Sequence, residues 1–141
     1  MNVKRKPRVL IGKIGLDGHT TGIYVVSKAL SDAGIEVIFG GIRLTPGQVA
    51  STALQESVDL IGISSLSGAH MTVARNLINE LREKRIDRVP IVIGGIIPPE
   101  DITKLKSMGV TDVFTPGTPT PDIVARVKRA INANALERRP A

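Results

Sequence analysis

The run from Val9 to Gly22, VLIGKIGLDGHTTG, decides the fold. Its first six residues are apolar apart from Gly12 and Lys13, and they predict a buried first β-strand. Polar residues and glycines follow, and an amphipathic pattern begins at Gly22. A buried strand that leads through a short loop into a helix is typical of the first β–α unit of a parallel sheet.

The loop after this strand holds side chains that suit a metal ligand. A carboxylate at Asp17 can accept a hydrogen bond from one ring nitrogen of His19, which leaves the other nitrogen for a metal. Lys13, four residues before Asp17, can hold that carboxylate in turn. A surface hydrogen bond between His19 and Asp17 is the competing interpretation. No second histidine or carboxylate stands at zinc-ligand spacing from His19, so a metal would arrive inside a cofactor that supplies its remaining ligands.

Apolar strand-length segments alternate with amphipathic helical segments. The predicted strands are Val9–Ile14, Glu36–Gly40, Leu60–Ser64, Ile91–Ile93 and Asp112–Phe114. The predicted helices are Gly22–Ala33, Pro46–Ser57, His70–Lys84, Pro99–Met108 and Pro121–Ala133. Five β–α pairs with short connections predict an α/β fold, a doubly wound parallel sheet with helices on both faces. We expect the flavodoxin-like strand order 2-1-3-4-5, in which ligands bind at the carboxyl ends of strands 1 and 3.

Small and hydroxyl residues follow three neighbouring strands of this sheet. They are Ser64-Ser65-Leu66-Ser67-Gly68 after strand 3, Gly94-Gly95 after strand 4 and Thr115-Pro116-Gly117-Thr118 after strand 5. Glycines let a bulky ligand approach the backbone, and hydroxyls offer polar contacts. An ordinary turn explains each glycine singly, but together these residues predict one deep groove beside His19.

The composition indicates one domain and excludes several classes of protein. The chain has 141 residues, of which 42% are hydrophobic and 2% aromatic, so the core is aliphatic. We expect a basic tail at 1–7, a domain at 8–133 and a frayed tail at 134–141. The absence of cysteine excludes disulfides and thiolate metal sites. The apolar runs are far shorter than the roughly 20 residues of a membrane span, so we expect a cytoplasmic protein.

The net charge of +6 lies largely in the tails and the last helix. No aromatic residues alternate with these basic residues to stack bases, so we expect solvated tails rather than a nucleic-acid site.

This sequence lacks the signature residues of three functions that are known on similar folds. A dinucleotide site needs GxGxxG after strand 1 and an acidic residue near the end of strand 2, which here ends Phe39-Gly40-Gly41. A phosphorylation receiver would need an aspartate and a lysine near the places of Ser64 and Thr115. A P-loop motif is absent. For His70, in the first turn of helix 3, we expect a surface or capping role.

The motifs taken together resemble those of one family. In chain order they are DxHxxG at Asp17, His19 and Gly22, SxL at Ser64 and Leu66, GG at Gly94 and Gly95, and a PGT element within Phe114-Thr115-Pro116-Gly117-Thr118. They resemble the cobalamin-binding domain of adenosylcobalamin-dependent acyl-CoA mutases, in the form that exists as a separate small subunit. The resemblance covers nearly everything from Arg8 to about Ile131. This sequence departs from the family's pattern at Thr20-Thr21, where an acidic-basic pair is more usual.

The resemblance implies how cobalamin is held. The cofactor would bind with its own dimethylbenzimidazole base displaced, His19 would become the lower axial ligand of cobalt, and Asp17 and Lys13 would tune it. The displaced nucleotide tail would enter the groove, with Ser64 near its base. The implied contact residues are Asp17, Gly18, His19, Thr20, Thr21, Gly22, Ser64, Leu66, Gly94, Gly95, Phe114, Thr115, Pro116, Gly117 and Thr118.

The resemblance also implies a partner and leaves the substrate open. The cofactor supplies an adenosyl radical, and the family's substrate site is a TIM barrel, which needs roughly 250 residues. This chain would therefore contain no catalytic residue and would act in a heterodimer or heterotetramer with a large subunit that binds methylmalonyl-CoA, 2-hydroxyisobutyryl-CoA or a similar acyl-CoA.

Two alternatives remain. One is the small subunit of an amino-acid mutase of the glutamate mutase type. The other is a non-enzymatic corrinoid carrier or sensor, although the helical cap usual in such carriers is not expected here because only about seven residues precede the first strand.

Overall fold

The computed structural model describes residues 6–14, 21–65 and 69–137, and its strands form one parallel sheet in the order β2-β1-β3-β4-β5. The strands are β1 (Arg8–Ile14), β2 (Glu36–Leu44), β3 (Leu60–Ser64), β4 (Ile91–Gly94) and β5 (Asp112–Phe114). The predicted fold class and strand order are confirmed. Because all neighbours are parallel, the carboxyl ends of the five strands meet at one edge of the sheet.

Within the described residues, four helices connect the strands, a fifth follows the last strand, and together they cover both faces of the sheet. They are α1 (Thr21–Asp32), α2 (Pro46–Glu56), α3 (His70–Glu83), α4 (Pro99–Met108) and α5 (Thr120–Glu137). Helices α1 and α5 pack on one face, and α2, α3 and α4 pack on the other. Strand β1 serves both cores, since Val9 and Ile11 face α1 and α5 while Leu10 faces the other helices. Burial on both faces explains why its sequence is almost continuously apolar.

Strand β2 does not end at Gly40, as predicted, but continues to Leu44. The register with β1 shifts so that Gly12 pairs with Gly41 and Ile14 pairs with Leu44, which is a β-bulge. Gly41 has a φ of +115°, a conformation that a glycine adopts at little cost. Gly40 and Gly41, where the sequence predicted the end of the strand, therefore lie inside it at an irregularity.

Helix α5 continues to Glu137, beyond its predicted end at Ala133. Residues 134–137, which we expected in a frayed tail, are therefore helical, and residues 138–141 lie outside the described part of the chain. Ala135, Leu136 and Glu137 are strong helix formers, which favours the extension. None of the helices within the described residues is long and apolar enough to cross a membrane.

Candidate functional site

Four residues singled out from the sequence form one row across the sheet. Lys13 of β1 pairs in register with Ser64 of β3, Ser64 pairs with Gly94 of β4, and Gly94 pairs with Phe114 of β5. Paired residues of parallel strands point to the same face, and this row shares the α1/α5 face with Val9 and Ile11 because side chains alternate along a strand. The predicted site residues therefore meet on one face at the carboxyl edge.

A cavity of about 530 Å³ opens on this face of the sheet. Its walls include Ile23 and Val26 of α1 and Ile123 and Val127 of α5, and its floor includes apolar residues of the central strands. The volume lies within the range of about 300–1,000 Å³ that is usual for small-molecule sites. The cavity is therefore the groove that the sequence predicted, and its apolar interior suits a flat, uncharged ring.

The predicted contact residues that the structure describes in full all line this groove. They are Gly22, Ser64, Gly94, Gly95, Phe114, Thr115, Pro116, Gly117 and Thr118. Thr21 begins α1, but its side chain is not described. Asp17, Gly18, His19, Thr20 and Leu66 lie outside the described residues, so their contacts stay predictions.

The glycines of the groove serve two different purposes. Among the described residues, a Cβ at Gly22 would meet no atom within 4 Å, and a Cβ at Gly94 would meet none closer than the Phe114 carbonyl oxygen at 3.8 Å. These two positions leave open space for a ligand. A Cβ at Gly95 would instead lie 2.0 Å from the carbonyl oxygen of Ser65. Gly95 therefore allows the loops after β3 and β4 to touch.

The loop after β5 is a tight turn. The amide of Thr118 donates a hydrogen bond to the carbonyl oxygen of Thr115 at 3.2 Å, and the Thr118 hydroxyl donates to the same oxygen at 2.7 Å. Pro116 and Gly117, with a φ of +89° at Gly117, occupy the two central positions, as in a type II turn. This geometry holds two threonines at the rim of the groove.

Phe114, in the groove wall, is supported by a charged group. The Arg126 guanidinium carbon lies 4.6 Å from the centre of the Phe114 ring, a cation–π contact. Arg126 Nε also donates to Asp112 Oδ2 at 2.8 Å, and Arg126 Nη2 donates to the carbonyl oxygen of Val113 at 3.2 Å. These contacts connect α5 to β5, and nothing in the sequence motifs signalled Arg126.

The pKa of Asp112 is lowered from its ordinary value of 3.8. Burial acts to raise this pKa, but hydrogen bonds from Arg126 and the Val113 amide, together with the charges of Arg126 and Lys106, outweigh burial. Because the folded state then binds fewer protons than the unfolded chain, Asp112 stabilises the fold above its unfolded pKa.

We expect the contribution of Asp112 to be lost as the pH falls from about 4 through its lower folded-state pKa. Urea unfolding of wild type and Asp112→Asn between about pH 7 and about pH 3 measures it. Asp112→Asn should be less stable than wild type at neutral pH and should lose less stability in acid. Arg126→Gln should flatten the profile similarly. Parallel profiles for Asp112→Asn and wild type would contradict the assignment.

Lys13 is completely buried at the edge of the sheet that carries the groove. A buried ammonium group requires polar or anionic neighbours, because an isolated charge is costly in a protein interior. The predicted contact with Asp17 meets that requirement and stays a prediction. Within the described residues, no cluster of three or more histidine, aspartate or glutamate side chains is arranged to hold a metal ion.

We expected a surface or capping role for His70, and that expectation was wrong. The residue is buried, with 5% of its surface exposed. It is the first residue of α3, and its Nε2 lies 2.8 Å from Oδ2 of Asp101 in α4. The sequence could not reveal the pair because its members are 31 residues apart on different helices.

The strand ends also distinguish this site from that of a phosphorylation receiver. Ser64 ends β3 and Thr115 directly follows β5, near the places where a receiver would need an aspartate and a lysine. The phosphorylation chemistry of receivers is therefore not available at these two positions, although the topology is shared.

Similarity to solved structures supports the fold alone. A cobalamin-binding protein from Desulfitobacterium hafniense superimposes with a TM-score of 0.77 at 17% identity, over 89% of this chain and 60% of that protein. A signal receiver domain from Vibrio parahaemolyticus superimposes with a TM-score of 0.74 at 13% identity, over 94% of this chain and 95% of that domain. A doubly wound sheet with an apolar groove at its carboxyl edge defines the class, a ligand-binding flavodoxin-like domain.

Sequence similarity gives the family. Residues 7–125 match the B12 binding domain, and the chain belongs to that family. It is 40% identical over 126 residues to the 2-hydroxyisobutanoyl-CoA mutase small subunit of Aquincola tertiaricarbonis, covering 89% of this chain and 93% of that subunit. It is also 42% identical over 118 residues to the methylmalonyl-CoA mutase large subunit of Streptomyces virginiae. That match covers 84% of this chain but only 16% of the relative.

Proposed function

We propose that this chain is the cobalamin-binding subunit of an adenosylcobalamin-dependent acyl-CoA mutase. The observation that carries the proposal is the groove, whose rim consists of the predicted contact residues from three successive strand ends. A second support is the 40% identity to a mutase small subunit of which this chain covers 93%.

The groove fits the nucleotide tail of cobalamin. Its apolar floor and walls suit the flat dimethylbenzimidazole ring, whose burial is favourable without many polar partners. The open space at Gly22 and Gly94 gives room at the rim for the ribose phosphate, and the hydroxyls of Ser64 and Thr115 can donate hydrogen bonds to it. The residues present therefore fit the group.

His19 is proposed as the lower axial ligand of cobalt, so that cobalamin binds base-off and histidine-on. Asp17 would accept a hydrogen bond from the second ring nitrogen of His19, and the buried Lys13 would hold the Asp17 carboxylate. The position of Lys13 in the same register row as Ser64 supports this arrangement, because it puts both residues on the face of the sheet that carries the groove.

The chemistry is divided between cofactor, this chain and a partner. When bound, adenosylcobalamin supplies the radical that starts the carbon-skeleton rearrangement of the acyl-CoA. This chain orients the cofactor, keeps the tail base in an apolar groove away from water and contributes no catalytic residue. We propose methylmalonyl-CoA, 2-hydroxyisobutyryl-CoA or a similar acyl-CoA as substrate.

A large TIM-barrel subunit is proposed as the partner in a cytoplasmic heterodimer or heterotetramer. The chain spans 20% of the ethylmalonyl-CoA mutase of Methylorubrum extorquens, to which it is 40% identical over 137 residues, so most of that relative has no counterpart in it. Ile96, directly after Gly94-Gly95, is 69% exposed. In the proposed complex the large subunit would cover this side chain.

Reconstitution tests the proposal. The purified chain is titrated with adenosylcobalamin and then mixed with the large mutase subunit of its own organism, and turnover of methylmalonyl-CoA and 2-hydroxyisobutyryl-CoA is measured. We expect cobalamin binding by the chain alone and turnover of an acyl-CoA only in the mixture. Turnover of glutamate instead would favour the amino-acid mutase, and cobalamin binding without turnover would favour a carrier. No binding of cobalamin would contradict the proposal.

A further inference from the structure

A buried hydrogen bond between side chains joins the first turns of two neighbouring helices. His70 is the first residue of α3 and Asp101 is the third residue of α4. His70 Nε2 lies 2.8 Å from Asp101 Oδ2, with 6% of the histidine side chain and 22% of the aspartate side chain exposed. Asp101 lies in the first turn of α4, where the helix dipole favours a carboxylate. The pair is therefore a short, directional and largely dry contact between α3 and α4.

The pair joins the helices that follow two strands whose last residues line the groove. Helix α3 follows β3, which ends at Ser64, and α4 follows β4, which ends at Gly94. The same two strand ends are also joined directly, since the Ser65 amide donates a hydrogen bond to the Gly94 carbonyl oxygen at 3.0 Å. The contact of His70 with Asp101 is a second link between these two β–α units, and it joins their helices rather than their strands.

Stability alone is a weak reason for a buried histidine at this position. The Nδ1 atom of His70 is buried and has no hydrogen-bond partner within the described residues, which is costly in a protein interior. Apolar residues of similar volume often replace a buried ion pair without loss of stability. A directional contact, unlike an apolar one, fixes the relative position of the two elements that it joins.

We propose that His70 and Asp101 are positioning residues for the cofactor groove. Their contact fixes the start of α3 against the start of α4, and so keeps Ser64 and Gly94 at the spacing that the cobalamin tail requires. The inference rests on the proposed function. Neither residue lines the groove, so both act through the strand ends that precede their helices.

Cobalamin titration of the full chain, followed by its visible absorption, tests the proposal on folded protein. Groups that hold a metal ligand from outside the metal's contact shell typically change metal affinity by about 10- to 100-fold when removed, and we take the lower end of that range for this pair. We therefore expect His70→Ala and Asp101→Ala each to raise the Kd for cobalamin at least about tenfold at temperatures well below their Tm. His70→Gln, whose amide can still donate to Asp101, should bind within about threefold of wild type.

The matched control is Ile78→Val in the same helix, where a buried side chain loses one carbon without any contact to the groove. Its Tm should fall while its Kd stays that of wild type, which separates positioning from general stability. If His70→Ala does not fold, Asp101→Ala carries the test, because its side chain is partly exposed. Wild-type Kd in the folded alanine variants would overturn the positioning role alone. Failure of wild type to bind cobalamin would overturn both this role and the proposed function.

Discussion

Gly95→Ala is expected to lower the free energy of unfolding by at least about 3 kcal/mol, close to the entire stability of a marginal domain. The added Cβ would lie 2.0 Å from the Ser65 carbonyl oxygen, which is backbone and cannot rotate away. The backbone at Gly95, with a φ of +154°, is also one that side chains rarely adopt. Relief of the clash would separate the ends of β3 and β4.

Two hydrogen bonds would be lost with that separation. The Ser65 amide donates to the Gly94 carbonyl oxygen at 3.0 Å, and the Gly95 amide donates to the Phe114 carbonyl oxygen at 3.1 Å. Each contributes about 0.5–1.5 kcal/mol, and strained backbone costs about 1–3 kcal/mol more. Because both bonds connect strand ends of the groove, cobalamin binding should be lost as well.

The neighbouring glycine provides the control for Gly95. In the part of the chain that the structure describes, a Cβ at Gly94 would have no atom nearer than 3.8 Å, so Gly94→Ala should keep its free energy of unfolding within about 1 kcal/mol of wild type. Urea unfolding of the two variants measures the difference. A midpoint for Gly95→Ala equal to that of wild type would show that the loops after β3 and β4 are not in contact.

Val26→Phe is expected to raise the Kd for cobalamin at least about a hundredfold while the chain stays folded. Val26 is half-buried in α1, packs against the α1/α5 core and lines the groove. A phenyl ring at this position would occupy the space proposed for the tail base. A flat aromatic group that buries about 150 Å² gains about 4 kcal/mol at about 25 cal/mol per Å². Loss of that gain corresponds to at least about a hundredfold in Kd.

Stability and binding should separate in this variant. Because the groove is open space in the free chain, the new ring can be buried without displacing core residues, and the Tm should not fall by more than about 4 °C. The control is Leu54→Phe on α2, where the side chain is 48% exposed on the opposite face of the sheet, and its Kd should equal that of wild type. Wild-type affinity in Val26→Phe would show that the tail does not enter the groove between α1 and α5.

The strand order and the rim of the groove could be predicted from the sequence. Glycines and hydroxyl residues directly follow three apolar segments, and the carboxyl ends of parallel strands meet at one edge, so Ser64, Gly94 and Thr115 had to lie together. The local sequence predicts each of these strand ends. The handedness rule for β–α–β units limits the possible topologies, and the order 2-1-3-4-5 was expected because the special residues fall at its switch point.

Other features depend on tertiary contacts that a local pattern does not contain. The bulge at Gly41 results from the pairing of β2 with β1 around Gly12, whereas the sequence alone predicted that the strand ends at Gly40. The walls of the groove arise because α1 and α5, at opposite ends of the chain, pack on the same face. The burial of His70 depends on Asp101 in another helix, and the support of Phe114 depends on Arg126. Residues far apart in sequence make all of these contacts.

The central claim, that His19 binds cobalt in place of the cofactor's own base, is tested most directly by EPR of the chain with cobalamin reduced to Co(II). The chain contains two histidines, His19 and His70. Protein labelled with ¹⁵N-histidine and mixed with unlabelled cobalamin should change the nitrogen splitting from a triplet to a doublet, and His19→Ala should abolish that doublet. A triplet that persists in the labelled protein would show that dimethylbenzimidazole still holds the cobalt, and it would contradict the account.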